Sequence, residues 1–277
     1  MNVVTIARQS LSTAWRNRAL WLFGFFVAAS GGAGAGNPKA SSGGGTALPA
    51  WVWPVLVVGA LVGIAAFLMH IISEGALIAQ VQRASGGSAT SVRDGFRAGL
   101  SHFGVVFRLK VLAGLGLLVI AAVVLLPVGL GIASLVPLAL GAGLSALTMV
   151  VLLPAVLTGY LVLEVALRVA VIEQRDALAA VKEAQHYLSG RLLESLQLLV
   201  MAVVGQAGSS LLAVAALLPG ALVGLIVYAV TQALIPSLVV GALVAVPLLI
   251  PAIGFGGTLR STVWTTGFLA SRALERS

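Results

Sequence analysis

Residues 168–191 read R-V-A-V-I-E-Q-R-D-A-L-A-A-V-K-E-A-Q-H-Y-L-S-G-R, the longest polar window in a chain that is otherwise almost uniformly apolar. Leu178, Val181 and Leu188 recur at helical spacing, and Ala177 and Ala184 fill the same face. Asp176 stands where the positive end of a helix dipole favours an anion. A mixed-charge helix with one apolar stripe, set between two long apolar runs, predicts a segment lying on a membrane surface between two spanning helices.

The rest of the composition agrees with that setting. A soluble domain carries roughly a quarter charged residues. This chain of 277 residues carries 9% charged and 60% hydrophobic residues, with a mean hydropathy of +1.10. Several apolar runs exceed the ~18 residues that mark a spanning helix. They are continuous rather than alternating, which excludes a membrane β-barrel. The expected fold is therefore all-α: one transmembrane domain over residues 1–277, with six transmembrane helices and amphipathic interfacial helices. The net charge of +8 points to the lipid bilayer and its anionic headgroups rather than to nucleic acid, because no basic soluble domain is present. Without cysteine, disulfides, thiolate metal sites and cysteine nucleophiles are excluded.

Taken in order, residues 1–18 form an N-terminal interfacial helix, with Val4, Ala7, Leu11, Ala14 and Trp15 on one face and Arg8, Arg16 and Arg18 as its charges. A short first span follows, from Leu20 to about Ala35. The rival reading of this region is a signal peptide, cleaved near Val27-Ala28-Ala29-Ser30. Residues 31–48 are a flexible outer Gly/Ser linker. The second span opens at Trp51, contains Gly59-x-x-x-Gly63, which permits close helix contact, and runs on towards Arg83. Residues 88–103 form a second cytoplasmic interfacial helix. It starts with the capping-box-like Ser91-Val-Arg-Asp94 and carries Val92, Phe96, Leu100 and Phe103 on one face. Spans three and four cover about 105–126 and 138–163, joined by an uncharged turn at 127–137. Residues 175–190 are the third interfacial helix. Spans five and six cover about 192–218 and 238–257, joined by an apolar connection at 219–236.

Charge tests this count. With both termini inside, only Lys39 of the sixteen Lys and Arg residues falls on the outer side, and all eight acids fall inside. The positive-inside rule then orients the chain, N-terminus and C-terminus cytoplasmic. An internal repeat also suggests itself. Val92-Arg93-Asp94-Gly95 aligns with Val181-Lys182-Glu183-Ala184, each followed by a span, an uncharged turn and another span. The region around 10–22 fits the same plan, giving three copies of a surface helix plus a helical hairpin.

Four segments carry a resemblance. They are A-W-R-N-R-A-L-W-L-F-G at 14–24, I-S-E-G-A-L-I-A-Q-V at 72–81, S-V-R-D-G-F-R-A-G at 91–99 and S-T-V-W-T at 261–265. They resemble an uncharacterised group of bacterial multi-span proteins, similar to the membrane domain attached to some glycerophosphoryl diester phosphodiesterases. The hydrolase portion of that enzyme is a separate soluble domain, and its His-Arg-Gly and Glu-x-Glu signatures are absent here. The resemblance therefore implies a membrane module of the bacterial cytoplasmic (inner) membrane, not the phosphodiesterase activity.

Few residues can carry chemistry. His70, His102 and His186 are the histidines, and none sits at metal-ligand spacing. His70 has Glu74 at i+4 on the same face. Ionisable residues within spans are functional candidates by default. Here they are Glu74, Glu164, Arg168 and Arg260, each at the inner end of an even-numbered span. Glu164 and Arg168 are i,i+4 partners. Pro154 with Gly159, and Pro251 with Gly257, predict helix interruptions just before Glu164 and Arg260, the pattern of a transporter site. No catalytic set, metal site or cofactor is expected. Two function classes follow. One is a non-enzymatic scaffold or accessory subunit that contacts lipids and a membrane-protein partner. The other is a permease or lipid-handling transporter with a polar site at the cytoplasmic ends of spans 2, 4 and 6.

Overall fold

Apolar backbone in a lipid setting must satisfy its own N–H and C=O groups, and the long runs of this chain do so as helices. The computed structural model describes residues 3–32 and 52–275, so nearly all of the expected linker at 31–48, with Lys39, lies outside the described residues. Among the described residues there are seven helices: α1 (Val3–Arg16), α2 (Ala19–Gly32), α3 (Val52–Ser85), α4 (Val92–Ile132), α5 (Leu138–Ile172), α6 (Ala177–Thr231) and α7 (Leu234–Glu275). Helices α3 to α7 are each long and apolar enough to cross a membrane. The chain is a multi-pass helical membrane protein. Helix α2, the expected first span, has 14 residues. Its described part rises about 21 Å, and the residues that follow it lie outside the described residues.

Burial is inverted relative to a soluble protein. Long runs of leucine and valine are exposed, for example Leu115, Leu117, Leu118 and Val119 on α4 and Val150, Val151 and Leu153 on α5. Buried positions include Ser73, Glu74, Gln80, Glu164, Arg168, Thr258, Thr262 and Thr265. Water would not tolerate so large an apolar surface; lipid tails do. Within each long helix burial is also polarised. In α3 it is continuous from Ile71 to Val81, in α5 it is concentrated from Leu161 to Val171, and in α7 from Gly254 to Phe268.

The chain divides into two compact units. The first comprises Met1–Phe103 and Gln197–Ser277, the second Gly104–Leu196; α4 and α6 each contribute to both. In the first unit Leu20 and Phe23 of α2 pack with Ala76, Leu77 and Val81 of α3, with Val27 at the edge. Helices α2 and α7 meet through glycine. A methyl group on Gly24 would strike the Gly254 carbonyl, and one on Gly257 would strike the Gly24 carbonyl. Farther along, Gly220 and Gly224 of α6 face Gly241 of α7 in the same manner. Gly59 and Gly63 are different. Nothing lies near either, so the Gly59-x-x-x-Gly63 motif makes no close helix contact in this structure.

Several sequence expectations change. Pro154, Pro247 and Pro251 lie inside continuous helices, so the expected interruptions before Glu164 and Arg260 do not occur. The 219–236 connection is helical except at residues 232 and 233. Likewise α4 continues through Pro127 to Ile132. Proline costs a helix one hydrogen bond and a steric clash, but in lipid a freed carbonyl has no water to turn to and neighbouring groups re-satisfy it.

The surface segments differ most instructively. Residues 92–103 are the first turns of α4 rather than a separate helix, and Ser91 caps them: Asp94 N–H donates to Ser91 Oγ at 3.1 Å, and the Ser91 hydroxyl donates to the Asp94 carboxylate at 2.8 Å. Helix α6 is non-helical at Arg191, which ends its surface part. In all three segments the face packed inward is made largely of small residues: Ile6, Ser10 and Ala14 in α1; Gly95, Ala98 and Gly99 in α4; Ala177, Ala180 and Ala184, with Tyr187 and Leu188, in α6. Most of the other long apolar side chains point away. Val4, Leu11, Trp15, Val92, Phe96, Leu100 and Leu178 are exposed. Leu178 is thus off the face shared by Ala177, Ala184 and Leu188. Small residues let the backbones approach, while the greasy stripe is left for lipid.

Candidate functional site

Helix α5 carries a polar ladder in its buried half. Tyr160, Glu164 and Arg168 are spaced i, i+4, i+8, so a single helix face aligns them without help from any neighbour. The Tyr160 hydroxyl donates to Glu164 Oε1 at 2.8 Å, and Arg168 pairs with Glu164 Oε2. Arg168 also donates to the Glu164 carbonyl at 2.7 Å. Glu164 and Arg168 are 4% and 3% exposed. At that depth an isolated ion would be costly, and the opposite charge with the hydrogen bonds from Tyr160 and to the Glu164 carbonyl offsets part of the desolvation, although the Arg168 Nε has no hydrogen-bond partner. One carboxylate oxygen accepts from the phenol and the other is paired with the guanidinium. The ladder suits a fixed, neutral polar contact better than general-base chemistry.

In the first unit Glu74 lies within the buried run of α3. His70 Nε2 is 3.7 Å from Glu74 Oε2, and His70 Nδ1 is 3.4 Å from the Phe26 carbonyl of α2. This joins the expected i,i+4 pair to the α2–α3 contact. Arg260 is half-buried on α7 in the same unit. Of the four sequence candidates, then, Glu164 and Arg168 are in direct contact in the second unit. Glu74 and Arg260 belong to the first.

The sequence reading did not single out a row of buried hydroxyls on α7. Thr258, Ser261, Thr262, Thr265, Thr266 and Ser271 are all buried. Thr258 Oγ1 lies 3.0 Å from the Leu20 carbonyl of α2 and 2.8 Å from its own Gly254 carbonyl. It is a polar tie between helices beside the glycine contact. The signal was visible as hydroxyl residues at helical spacing in an apolar run. A second tie runs from Gln80 Nε2 to the Ser91 carbonyl at 3.2 Å, fixing α3 to the start of α4. Trp15, Trp21 and Phe255 form a three-ring cluster with centroids 5.7–5.9 Å apart, and Trp21 Nε1 donates to the Ala14 carbonyl at 2.8 Å. Amphipathic aromatic rings of this kind suit the headgroup level of a bilayer.

His102 and His186 stand apart from these groups: His102 Nδ1 lies 2.8 Å from the Ala98 carbonyl, one turn back, and His186 is exposed. Among the described residues no three His, Cys, Asp or Glu side chains are grouped so that they could hold a metal ion. No protein-family model, curated protein or solved structure matches the chain.

Proposed function

We propose that this chain is a non-enzymatic scaffold or accessory subunit of the bacterial cytoplasmic membrane. It contacts lipids through its three surface segments and binds another membrane protein through its spans. In this reading six transmembrane segments, α2 included, form three hairpin repeats. Both termini and nearly all charges lie on the cytoplasmic side. The observation that carries the proposal is the common build of the surface segments. Each turns small residues inward and leaves at least one long apolar side chain exposed, with Ile6 of α1 and Tyr187 and Leu188 of α6 as inward exceptions, and Arg8, Arg16, Arg93, Arg97, Arg175 and Lys182 lie on or beside them. That pattern is made to rest on an anionic leaflet. The resemblance to a membrane module found beside a separate catalytic domain supports the same reading.

A second reading, a permease or lipid-handling transporter, draws on one observation: the buried Tyr160–Glu164–Arg168 ladder. Buried ionisable groups in spans mark substrate paths by default. The uninterrupted helices at Pro154 and Pro251 remove the main sequence argument for it.

Extraction into native-lipid discs, followed by mass spectrometry of what co-purifies, separates the two. A stoichiometric membrane-protein partner is the expected result. A chain that purifies alone and moves a solute or lipid across vesicle membranes, with transport lost in Glu164→Gln while the fold persists, would replace the scaffold by the transporter.

A further inference from the structure

Within the second unit a cleft of about 370 Å³ opens between the early part of α4 and the start of α6, a volume in the range of small-ligand sites. Its walls are apolar: Phe107, Val111, Leu112 and Leu178. Its polar groups are a single cation and a single anion, Arg108 and Asp176. Both side chains are exposed, and no ion pair joins them to each other or to any other described residue. Two opposite charges that share one cleft without neutralising each other present a bipolar face.

The position of the cleft in the sequence matters as much. Arg108 and Lys110 are the last charges before an uncharged run that extends to Glu164. Val111 and Leu112 begin that run. The cleft therefore straddles the change from charged to apolar chain, polar at one end and greasy at the other. The start of α6 also lines it, with Asp176 just before the first turn.

We propose that this cleft binds one phospholipid with a zwitterionic, primary-ammonium headgroup. Arg108 takes the phosphate, Asp176 takes the ammonium, and Phe107, Val111, Leu112 and Leu178 take the upper part of an acyl chain. An anionic headgroup meets repulsion at Asp176. A quaternary ammonium offers that carboxylate no N–H to accept. The inference deepens the lipid-contact half of the proposed function, and its test needs no protein partner, so its failure leaves the scaffold reading standing.

The test uses the purified full chain in discs of equal parts phosphatidylethanolamine and phosphatidylglycerol, with native mass spectrometry of the lipids retained after annular lipid is stripped. The wild type is expected to retain phosphatidylethanolamine about tenfold above the bulk ratio, the scale of one charge-assisted hydrogen bond. Asp176→Asn keeps a residue suited to a helix N-cap and should return retention to the bulk ratio. Arg108→Gln should lower retention of both lipids. Replacing phosphatidylethanolamine by phosphatidylcholine around the wild type should abolish the preference, a check that requires no variant to fold. Retention at the bulk ratio in the wild type, enrichment of phosphatidylglycerol, or a phosphatidylethanolamine preference that survives both substitutions would overturn the proposal.

Discussion

Glu164 and Arg168 show what one turn of helix can do in a low-dielectric setting. The pair is neutral as a unit and costly when split. Replacing Glu164 by Gln leaves a buried guanidinium without its counter-charge, and destabilisation of about 3–5 kcal/mol is expected. The paired replacement Glu164→Leu with Arg168→Met should come within about 1 kcal/mol of the wild type or exceed it. Reversible unfolding in detergent measures both, and equal losses for the single and paired variants would count against a structural pair. The i,i+4 charges were legible in the sequence because helical spacing alone brings them together. Tyr160 stands one turn before Glu164 and completes the ladder, yet a tyrosine in an apolar run looks like a core aromatic until its hydroxyl is seen on the carboxylate. The Thr258 tie to Leu20 was less legible still. Its partner is a backbone carbonyl 238 positions away in the chain, and nothing local announces it.

Helices expose the limit of motif reading in another way. Gly59-x-x-x-Gly63 has the spacing of a packing motif, but both glycines face open space. The close contacts occur at Gly24 with Gly254 and Gly257, and at Gly220 with Gly241. Spacing says that two helices could approach; only the tertiary arrangement says which do. Gly24→Ala should therefore cost about 1–3 kcal/mol through overpacking. Gly59→Ala and Gly63→Ala should be neutral or slightly stabilising, since alanine is the better helix former. Thermal unfolding of the three variants tests this, and equal effects would refute the assignment of α2–α7 as the tight contact. The surface segments carry the parallel lesson. Their apolar stripes were plain in the sequence, but at a membrane boundary a greasy stripe has two possible solvents, the core and the lipid. Small residues such as Ala180 and Gly99 decide for the core because they allow the backbone to come closest. The chain contains no cysteine, so single-cysteine variants report cleanly. A lipid-soluble maleimide should modify Leu178→Cys at least ten times faster than Ala180→Cys, as about expected for an exposed against a closely packed site. Comparable rates would mean that the faces are reversed.

At the scale of the whole molecule, the class was the most legible feature. A charged fraction of 9% and long apolar runs leave little but a multi-pass helical protein. The inverted burial then follows: Leu and Val outside, Ser, Thr, Glu and Arg inside. The number of crossings was harder to read. The described part of α2 has 14 residues, and residues 33–51, where the expected first span would end, lie outside the described residues. Close glycine contacts and single polar ties such as Thr258 to Leu20 and Gln80 to Ser91 suit a lipid setting, where burying apolar surface gains nothing.

All of this depends on which side of the membrane the charged ends occupy, and sided labelling reads that directly. In spheroplasts, an impermeant maleimide should modify Ser41→Cys, which lies in the outer linker of the proposed topology. It should leave Ser88→Cys untouched until the membrane is opened. That result would fix the surface segments on the cytoplasmic leaflet. Modification of Ser88→Cys in sealed spheroplasts, with Ser41→Cys protected, would invert the topology and contradict the account.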